Sequence, residues 1–124
     1  MAKILVAVAD RDERELYVLA LRFAGHQLLG AGDIGEAYNV IAGSRPDLTL
    51  LDVRLLVANG YDPQESELKI VQDLNSAVVL LVDMNIKPET VVWVKSWEGE
   101  YIYTPIGLDQ LTRQVNQYLK RNVK

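Results

Sequence analysis

The sequence predicts a single α/β domain, residues 1–124, in which a doubly wound parallel sheet is covered by helices on both faces. Short apolar runs rich in β-branched residues alternate with longer segments of helical spacing. The runs are continuously apolar, which is typical of strands buried on both faces. A length of 124 residues suits one hydrophobic core.

The first apolar run, Ile4–Ala9, predicts a strand. Four apolar residues then recur at helical spacing and predict the buried stripe of a first helix that ends at Gly25: Leu16, Leu19, Ala20 and Phe23. His26–Gly30 predicts the second strand.

Asp33 and Glu36 have the spacing of a capping box and predict the start of a second helix. This helix is expected to end at Gly43 and to bury three residues: Ala37, Val40 and Ile41. After Pro46, the run Leu48–Val53 predicts the third strand.

The second half continues the alternation. Asp62-Pro63 predicts the start of a third helix, since aspartate caps and proline suits the first helical position. Its expected inner residues are Leu68, Val71 and Leu74. Ala77–Val82 predicts the fourth strand, a helix is expected from Pro88 to about Glu98, and Tyr101–Thr104 predicts the fifth strand. The last helix is expected to pack through Leu108, Leu111, Val115 and Leu119. Five strands and five helices are therefore expected.

Composition excludes several classes of protein. The absence of cysteine excludes disulfides and thiolate sites, and a single histidine disfavours multi-histidine zinc sites. A net charge of −4 disfavours nucleic-acid binding. The longest apolar runs have six residues, whereas a membrane span needs about 20. With no signal peptide at the start, we expect a cytoplasmic location and no membrane partner.

Ligands of such folds bind beyond the carboxyl ends of the strands. After the first strand, residues 9–13 offer three carboxylates and no glycine, which disfavours a phosphate-binding turn and therefore nucleotides. Asp52 ends the third strand after a buried run. A carboxylate there is costly unless it is paired or used, so Asp52 is either a cap for the following segment or a functional residue.

The chain resembles a receiver domain of the response-regulator family, the CheY-like superfamily. The resemblance lies in Lys3-Ile-Leu-Val, in Pro46-Asp-Leu-Thr-Leu-Leu-Asp52, in Asn59-Gly60 and in Tyr101-Ile-Tyr-Thr-Pro105. It implies a flavodoxin-like strand order 2-1-3-4-5. It also implies that Asp52 stands at the phosphoacceptor position of a phosphorelay, with Tyr101 as the switch aromatic and the carbonyl of Arg54 as a metal ligand.

The sequence departs from the family pattern around that aspartate. The family's acidic pair falls on Val8 and Ala9, its hydroxyl on Val82 and its lysine on Thr104. Losing two carboxylates removes several kcal/mol of attraction to a divalent cation. We therefore expect no metal and no other cofactor, with magnesium only under the alternative below.

Three polar residues beside the pocket have alternative roles. Asp10 is interpreted as the N-cap of the first helix in preference to a metal ligand. Arg54 could pair with Asp52, and Thr104 could donate a hydrogen bond to it.

We expect a degenerate receiver, or pseudo-receiver: a signalling module without enzymatic activity that acts through protein contacts. The alternative is a working receiver that takes a phosphoryl group on Asp52 from a histidine kinase. A further possibility is a small ligand in an apolar cleft around Asp52.

The expected partner surface is the fourth helix, fifth strand and fifth helix, where the family commonly binds signalling partners or a second copy. The aromatic residues and the valine that we assign to it are Val92, Trp93, Trp97 and Tyr103. Tryptophans four residues apart share a helix face, and aromatics are enriched in interfaces. One of the tryptophans could equally pack against the sheet.

Overall fold

The computed structural model describes residues 2–57, 77–85 and 100–122, and these form a five-stranded parallel sheet with helices on both faces. In chain order the elements are β1 (Lys3–Ala7), α1 (Arg11–Phe23), β2 (Gln27–Ala31), α2 (Ile34–Ser44), β3 (Leu48–Asp52), α3 (Arg54–Val57), β4 (Ala77–Asp83), β5 (Tyr101–Thr104) and α4 (Leu108–Asn122). The predicted helices that begin at Asp62 and Pro88 lie outside the described residues, as do Asn59-Gly60, Val92, Trp93 and Trp97.

The strand order is β2-β1-β3-β4-β5, and all four pairings are parallel. The doubly wound fold and the expected order are both confirmed. Because the strands run in one direction, the carboxyl ends of β1, β3 and β4 meet at one edge. Asp52, Asp83 and the chain after Ala7 lie at that edge.

Alternate residues of each strand pack into two separate cores. On one face α2 packs through Ala37 and Ile41 against a layer that includes Leu5 and Leu51. On the other face α1 and α4 pack against a layer that includes Leu50. The α4 residues in that core are Leu111, Val115 and Leu119, as expected, whereas Leu108 is 37% exposed.

Helix α1 buries a different face from the one that the sequence predicts. Tyr17 and Leu21 are buried in the core. Of the expected stripe, Ala20 is half-buried, and the other three residues face solvent: Leu16 is 51% exposed, Leu19 59% and Phe23 96%. The prediction is wrong because contacts of Glu13 and Arg14 with other elements, described below, set the rotation of the helix.

The ends of α1 and α2 follow capping chemistry. The side chain of Asp10 accepts a hydrogen bond from the Glu13 amide, and Asp33 accepts one from the Glu36 amide. Gly25 follows α1 with a φ of 99°, a conformation that glycine adopts without strain. The expected end of α2 at Gly43 is wrong: the helix continues to Ser44, and Arg45 caps it at a φ of 47°.

Candidate functional site

Asp52 is an almost fully buried carboxylate at the carboxyl edge of the sheet, and both of its oxygens are hydrogen-bonded. Oδ1 accepts from the backbone amide of Arg54 at 2.9 Å and from Arg54 Nε at 3.0 Å. Oδ2 accepts from the backbone amide of Ala9 at 3.1 Å and from Arg54 Nε at 2.9 Å. These contacts stabilise an anion in a place where an unpaired one would be costly.

Arg54 brings a permanent positive charge to this carboxylate. Its Nη2 lies 2.9 Å from Oδ2 of Asp52. The hydrogen bonds to Asp52 raise the pKa of the Arg54 guanidinium above its ordinary value, although burial acts in the opposite direction. Arg54 begins α3 just two residues after Asp52, so the pair forms across the strand-to-helix turn. The predicted pairing of Arg54 with Asp52 is therefore present.

Two further carboxylates face the same guanidinium. Glu13 Oε2 lies 2.6 Å from Nη2 of Arg54, and Asp83 Oδ2 lies 3.6 Å from Nη1. Glu13 comes from α1 and Asp83 from the end of β4, so Arg54 joins three parts of the fold. We call the set of Glu13, Asp52, Arg54 and Asp83 the arginine cluster.

Tyr17 extends the arginine cluster into the core. Its hydroxyl donates a hydrogen bond to Oε1 of Glu13 at 2.8 Å. Burial, together with this bond and the charge of Glu13, raises the pKa of Tyr17 well above its ordinary value of 10. Glu13 is thus held between a phenol and a guanidinium.

The sequence indicates Asp52 and Arg54 but not Glu13, Tyr17 or Asp83 as parts of this cluster. Glu13 has the position of a capping-box glutamate, yet its side chain turns to Arg54, which is 41 residues away along the chain. Asp83 directly follows a continuous apolar strand, just as Asp52 does. That shared position at parallel strand ends is the signal that could have paired them.

The remaining pocket positions are mostly apolar. Val8 and Val82 are buried, and Asp10 is an exposed N-cap, as predicted. Thr104 is buried beside Asp83 in the sheet register, but among the described residues it is not a donor to Asp52. The carbonyl of Val8 accepts a hydrogen bond from Nη1 of Arg14 at 2.8 Å.

Tyr101 and Tyr103 lie on β5, an edge strand of the sheet, and are 40% and 45% exposed. Their rings meet edge to face, with centroids 5.3 Å apart and planes at 82°. Tyr103, the member of the expected partner surface that lies within the described residues, thus shares one solvent-facing patch with Tyr101, the expected switch aromatic.

Comparison with protein-family models finds no match. The DNA-binding response regulator MtrA of Mycobacterium tuberculosis (strain ATCC 25618 / H37Rv) is 29% identical over 120 residues, which cover 97% of this chain and 51% of that protein. The receiver domain of the Francisella response regulator 1452 superposes with a TM-score of 0.76 at 26% identity, covering 98% of both chains. This chain is a homologue of response-regulator receiver domains.

A two-component response regulator from Clostridium difficile shares the receiver fold over 100% of both chains, with a TM-score of 0.80 at 20% identity. The chain spans about half the length of the curated relatives it matches. The resemblance seen in the sequence is confirmed at the level of the receiver domain. Within the described ranges, no helix combines the length and apolar character needed to cross a bilayer.

The residues around Asp52 do not fit the magnesium ion that the family resemblance implies. Val8 and Ala9 provide no carboxylate, and a guanidinium already lies against both oxygens of Asp52. In the part of the chain that the structure describes, no group of three histidine, cysteine, aspartate or glutamate side chains could hold a metal ion; the three carboxylates of the arginine cluster lie against the guanidinium instead. Magnesium requires near-octahedral oxygen ligands. Here the carboxylate oxygens surround the guanidinium of Arg54 instead.

Proposed function

We propose that this chain is a degenerate receiver: a signalling module of a two-component system that acts through protein contacts, without magnesium-dependent phosphorylation of Asp52 and without enzymatic activity. The observation that carries the proposal is the placement of the Arg54 guanidinium against both oxygens of Asp52. The cytoplasmic location expected from the sequence is part of the same proposal.

The guanidinium opposes phosphorylation at two steps. An attacking carboxylate must present a lone pair to the incoming phosphorus, yet the Asp52 oxygens together accept from Ala9 and from two nitrogen atoms of Arg54 in the resting pocket. A divalent cation would have to displace Arg54, which Glu13 also holds. Arginine does not deprotonate in proteins, so raising the pH does not release it.

Among the described residues, the pocket also lacks a lysine and a strand-four hydroxyl that would hold a transferring phosphoryl group. Phosphoryl transfer depends on positioning and on neutralising charge. By family resemblance, the residues for those tasks fall on Val82, which is an alkyl side chain, and on Thr104, which carries no charge. Asp52, the carbonyl of Arg54 and Tyr101 are the family positions that remain, and Asp52 supports the alternative of a working phosphoacceptor.

The partner surface proposed here includes the exposed pair Tyr101 and Tyr103 on β5. Aromatic side chains that are rigid and half-exposed are typical anchors in protein interfaces. A signalling protein or a second copy is the proposed occupant. The net charge of −4 supports the absence of a nucleic-acid partner for this domain, whatever the DNA-binding relatives do with the rest of their length.

The test is intact-mass spectrometry after incubation with acetyl phosphate and magnesium. We expect the wild-type mass to remain unchanged, and Arg54→Met to show whether the guanidinium alone blocks the reaction. A receiver domain with a complete acidic pocket serves as the positive control. A stoichiometric phosphoryl adduct on the wild-type chain that disappears in Asp52→Asn would establish the alternative instead.

A further inference from the structure

Helix α1 presents a continuous apolar stripe to solvent. Leu16, Leu19 and Phe23 are 51%, 59% and 96% exposed. At 100° per residue their side chains fall within roughly 60° of the helix circumference. Isolated exposed apolar residues are common on protein surfaces, but three large ones on a single stripe mark an interaction surface.

We infer that this stripe is the contact through which two copies of the chain pair, with their α1 helices antiparallel about a twofold axis at Leu19. This surface is the outer face of α1, which points away from the core, and it does not include β5. The inference does not depend on whether Asp52 is phosphorylated.

The spacing of the stripe is self-complementary. When one α1 helix is reversed about Leu19, Leu16 comes opposite Phe23 of the second copy to within about 1.5 Å along the axis, the rise of one residue. The same operation places Phe23 opposite Leu16 of the second copy, and the two Leu19 side chains meet at the centre. A twofold interface needs this kind of match between a surface and its own reversed image.

The charges beside the stripe show the same complementarity. Glu15 and Arg22 lie on one flank of the stripe, four residues before and three after Leu19. A twofold axis perpendicular to the helices brings this flank against the same flank of the second copy, so Glu15 faces Arg22 of that copy. In the single chain Glu15 pairs with Arg11 at 3.2 Å, with both side chains largely exposed. Breaking this pair so that Glu15 can contact Arg22 of the second copy therefore costs little free energy.

A shallow groove enlarges the apolar surface next to Leu19. The groove has a volume of about 440 Å³ and lies between α1 and β2, with Val18, Leu28 and Leu29 among its lining residues. Even so, a single helix face provides less than the ~800 Å² that each partner gives to a standard interface. We therefore expect a weak, reversible dimer and not an obligate one.

Sedimentation equilibrium of the full 124-residue chain, from about 1 µM to 1 mM, tests this inference over the range of weak association. The apparent mass is expected to rise from 13.9 kDa toward twice that value. Leu19→Glu should raise the dissociation constant at least tenfold. Met84→Glu is the matched control, because Met84 is 63% exposed and follows β4, where its amide donates to the Thr104 carbonyl of β5, and it should leave the constant unchanged.

Charge reversal tests the antiparallel register itself. Glu15→Arg and Arg22→Glu should each weaken the dimer, because each places like charges opposite one another. The double variant Glu15→Arg/Arg22→Glu should restore association to within about threefold of wild type, since it rebuilds the pair in reverse. Circular dichroism of every variant confirms that these exposed substitutions leave the fold intact.

Two results would overturn the inference. One is a chain that stays monomeric over the whole concentration range. The other is a dimer that Leu19→Glu leaves intact and Tyr103→Glu disrupts, which would place self-association on β5 and support the proposed function instead. Loss of association in Leu19→Glu together with recovery in the double charge reversal supports it.

Discussion

Arg54 shows how one side chain can change the chemistry of a pocket. Its guanidinium lies within 2.9 Å of Asp52 and 2.6 Å of Glu13, and 3.6 Å from Asp83. Three carboxylates around an empty space would repel one another, whereas around a guanidinium they are mutually compatible. We interpret Arg54 as an internal cation in the region where the family resemblance implies a metal.

Replacing Arg54 by methionine keeps most of its length but removes the charge. We expect Arg54→Met to lower the free energy of unfolding by about 2–3 kcal/mol, less than a fully buried pair because the Arg54 side chain is 34% exposed. Arg11→Met, which removes the exposed pair with Glu15, should change it by less than about 0.5 kcal/mol. Urea denaturation measures both.

The double variant Arg54→Met/Asp52→Asn separates charge from packing. Asparagine removes the unpaired anion, so part of the lost stability should return. If the double variant is less stable than Arg54→Met by the full cost of a second independent substitution, the charge interaction is not the source of the loss.

Tyr17 predicts a dependence of stability on alkaline pH. Because its pKa is raised in the folded chain, the unfolded state loses this proton first, near pH 10, and the folded state keeps it. Stability from this group is therefore complete below about pH 10 and falls as pH rises above it. Urea midpoints of wild type should decline more steeply between about pH 9 and pH 11 than those of Tyr17→Phe.

Phenylalanine at position 17 is the matched control because it keeps the ring and cannot ionise. The other tyrosines contribute equally to both proteins. Parallel pH profiles for the two would show that Tyr17 ionises normally in the fold.

At the scale of the elements, α1 shows two possible inner faces, of which the fold uses the less apolar. Glu13, Tyr17 and Leu21 lie four residues apart in turn and form the inner face, and Arg14 beside them reaches the carbonyl of Val8. The apolar alternative through Leu16, Leu19 and Phe23 would turn Glu13 away from Arg54. Paired charges near the start of the helix therefore set its rotation, and the remaining apolar side chains are left in solvent.

Leu21 and Leu16 test this rotation with the same substitution on the same helix. Leu21→Ala removes a fully buried side chain and should cost about 2–5 kcal/mol. Leu16→Ala should change the free energy of unfolding by about 0.5 kcal/mol or less, because Leu16 is 51% exposed. Thermal or urea unfolding of the two variants measures both values, at protein concentrations below the dissociation constant of the proposed dimer. Equal losses of stability in the two variants would contradict this rotation and would indicate that the face with Leu16 is buried.

At the scale of the whole molecule, parallel pairing brings distant carboxylates to one edge. The sheet register places Asp52 beside Leu81 and Asp83 beside Thr104, so the two acids end neighbouring strands and Asp83 lies two residues further along the strand direction. Helix α1 begins just beyond β1 and brings Glu13 over that edge. The arginine cluster is thus a product of topology, with partners from α1, β3, α3 and β4.

The sequence by itself determined the strands, their parallel class and the caps at Asp10 and Asp33, and it offered the pairing of Asp52 with Arg54 as one of two possibilities. Each of these depends on residues close together in the chain, where periodicity and capping chemistry act directly. Tertiary structure decided the rotation of α1 and the membership of the arginine cluster. Those depend on contacts such as that between Glu13 and Arg54, which are 41 residues apart. A local sequence pattern does not predict which of two helix faces will turn toward a guanidinium that is distant in the chain.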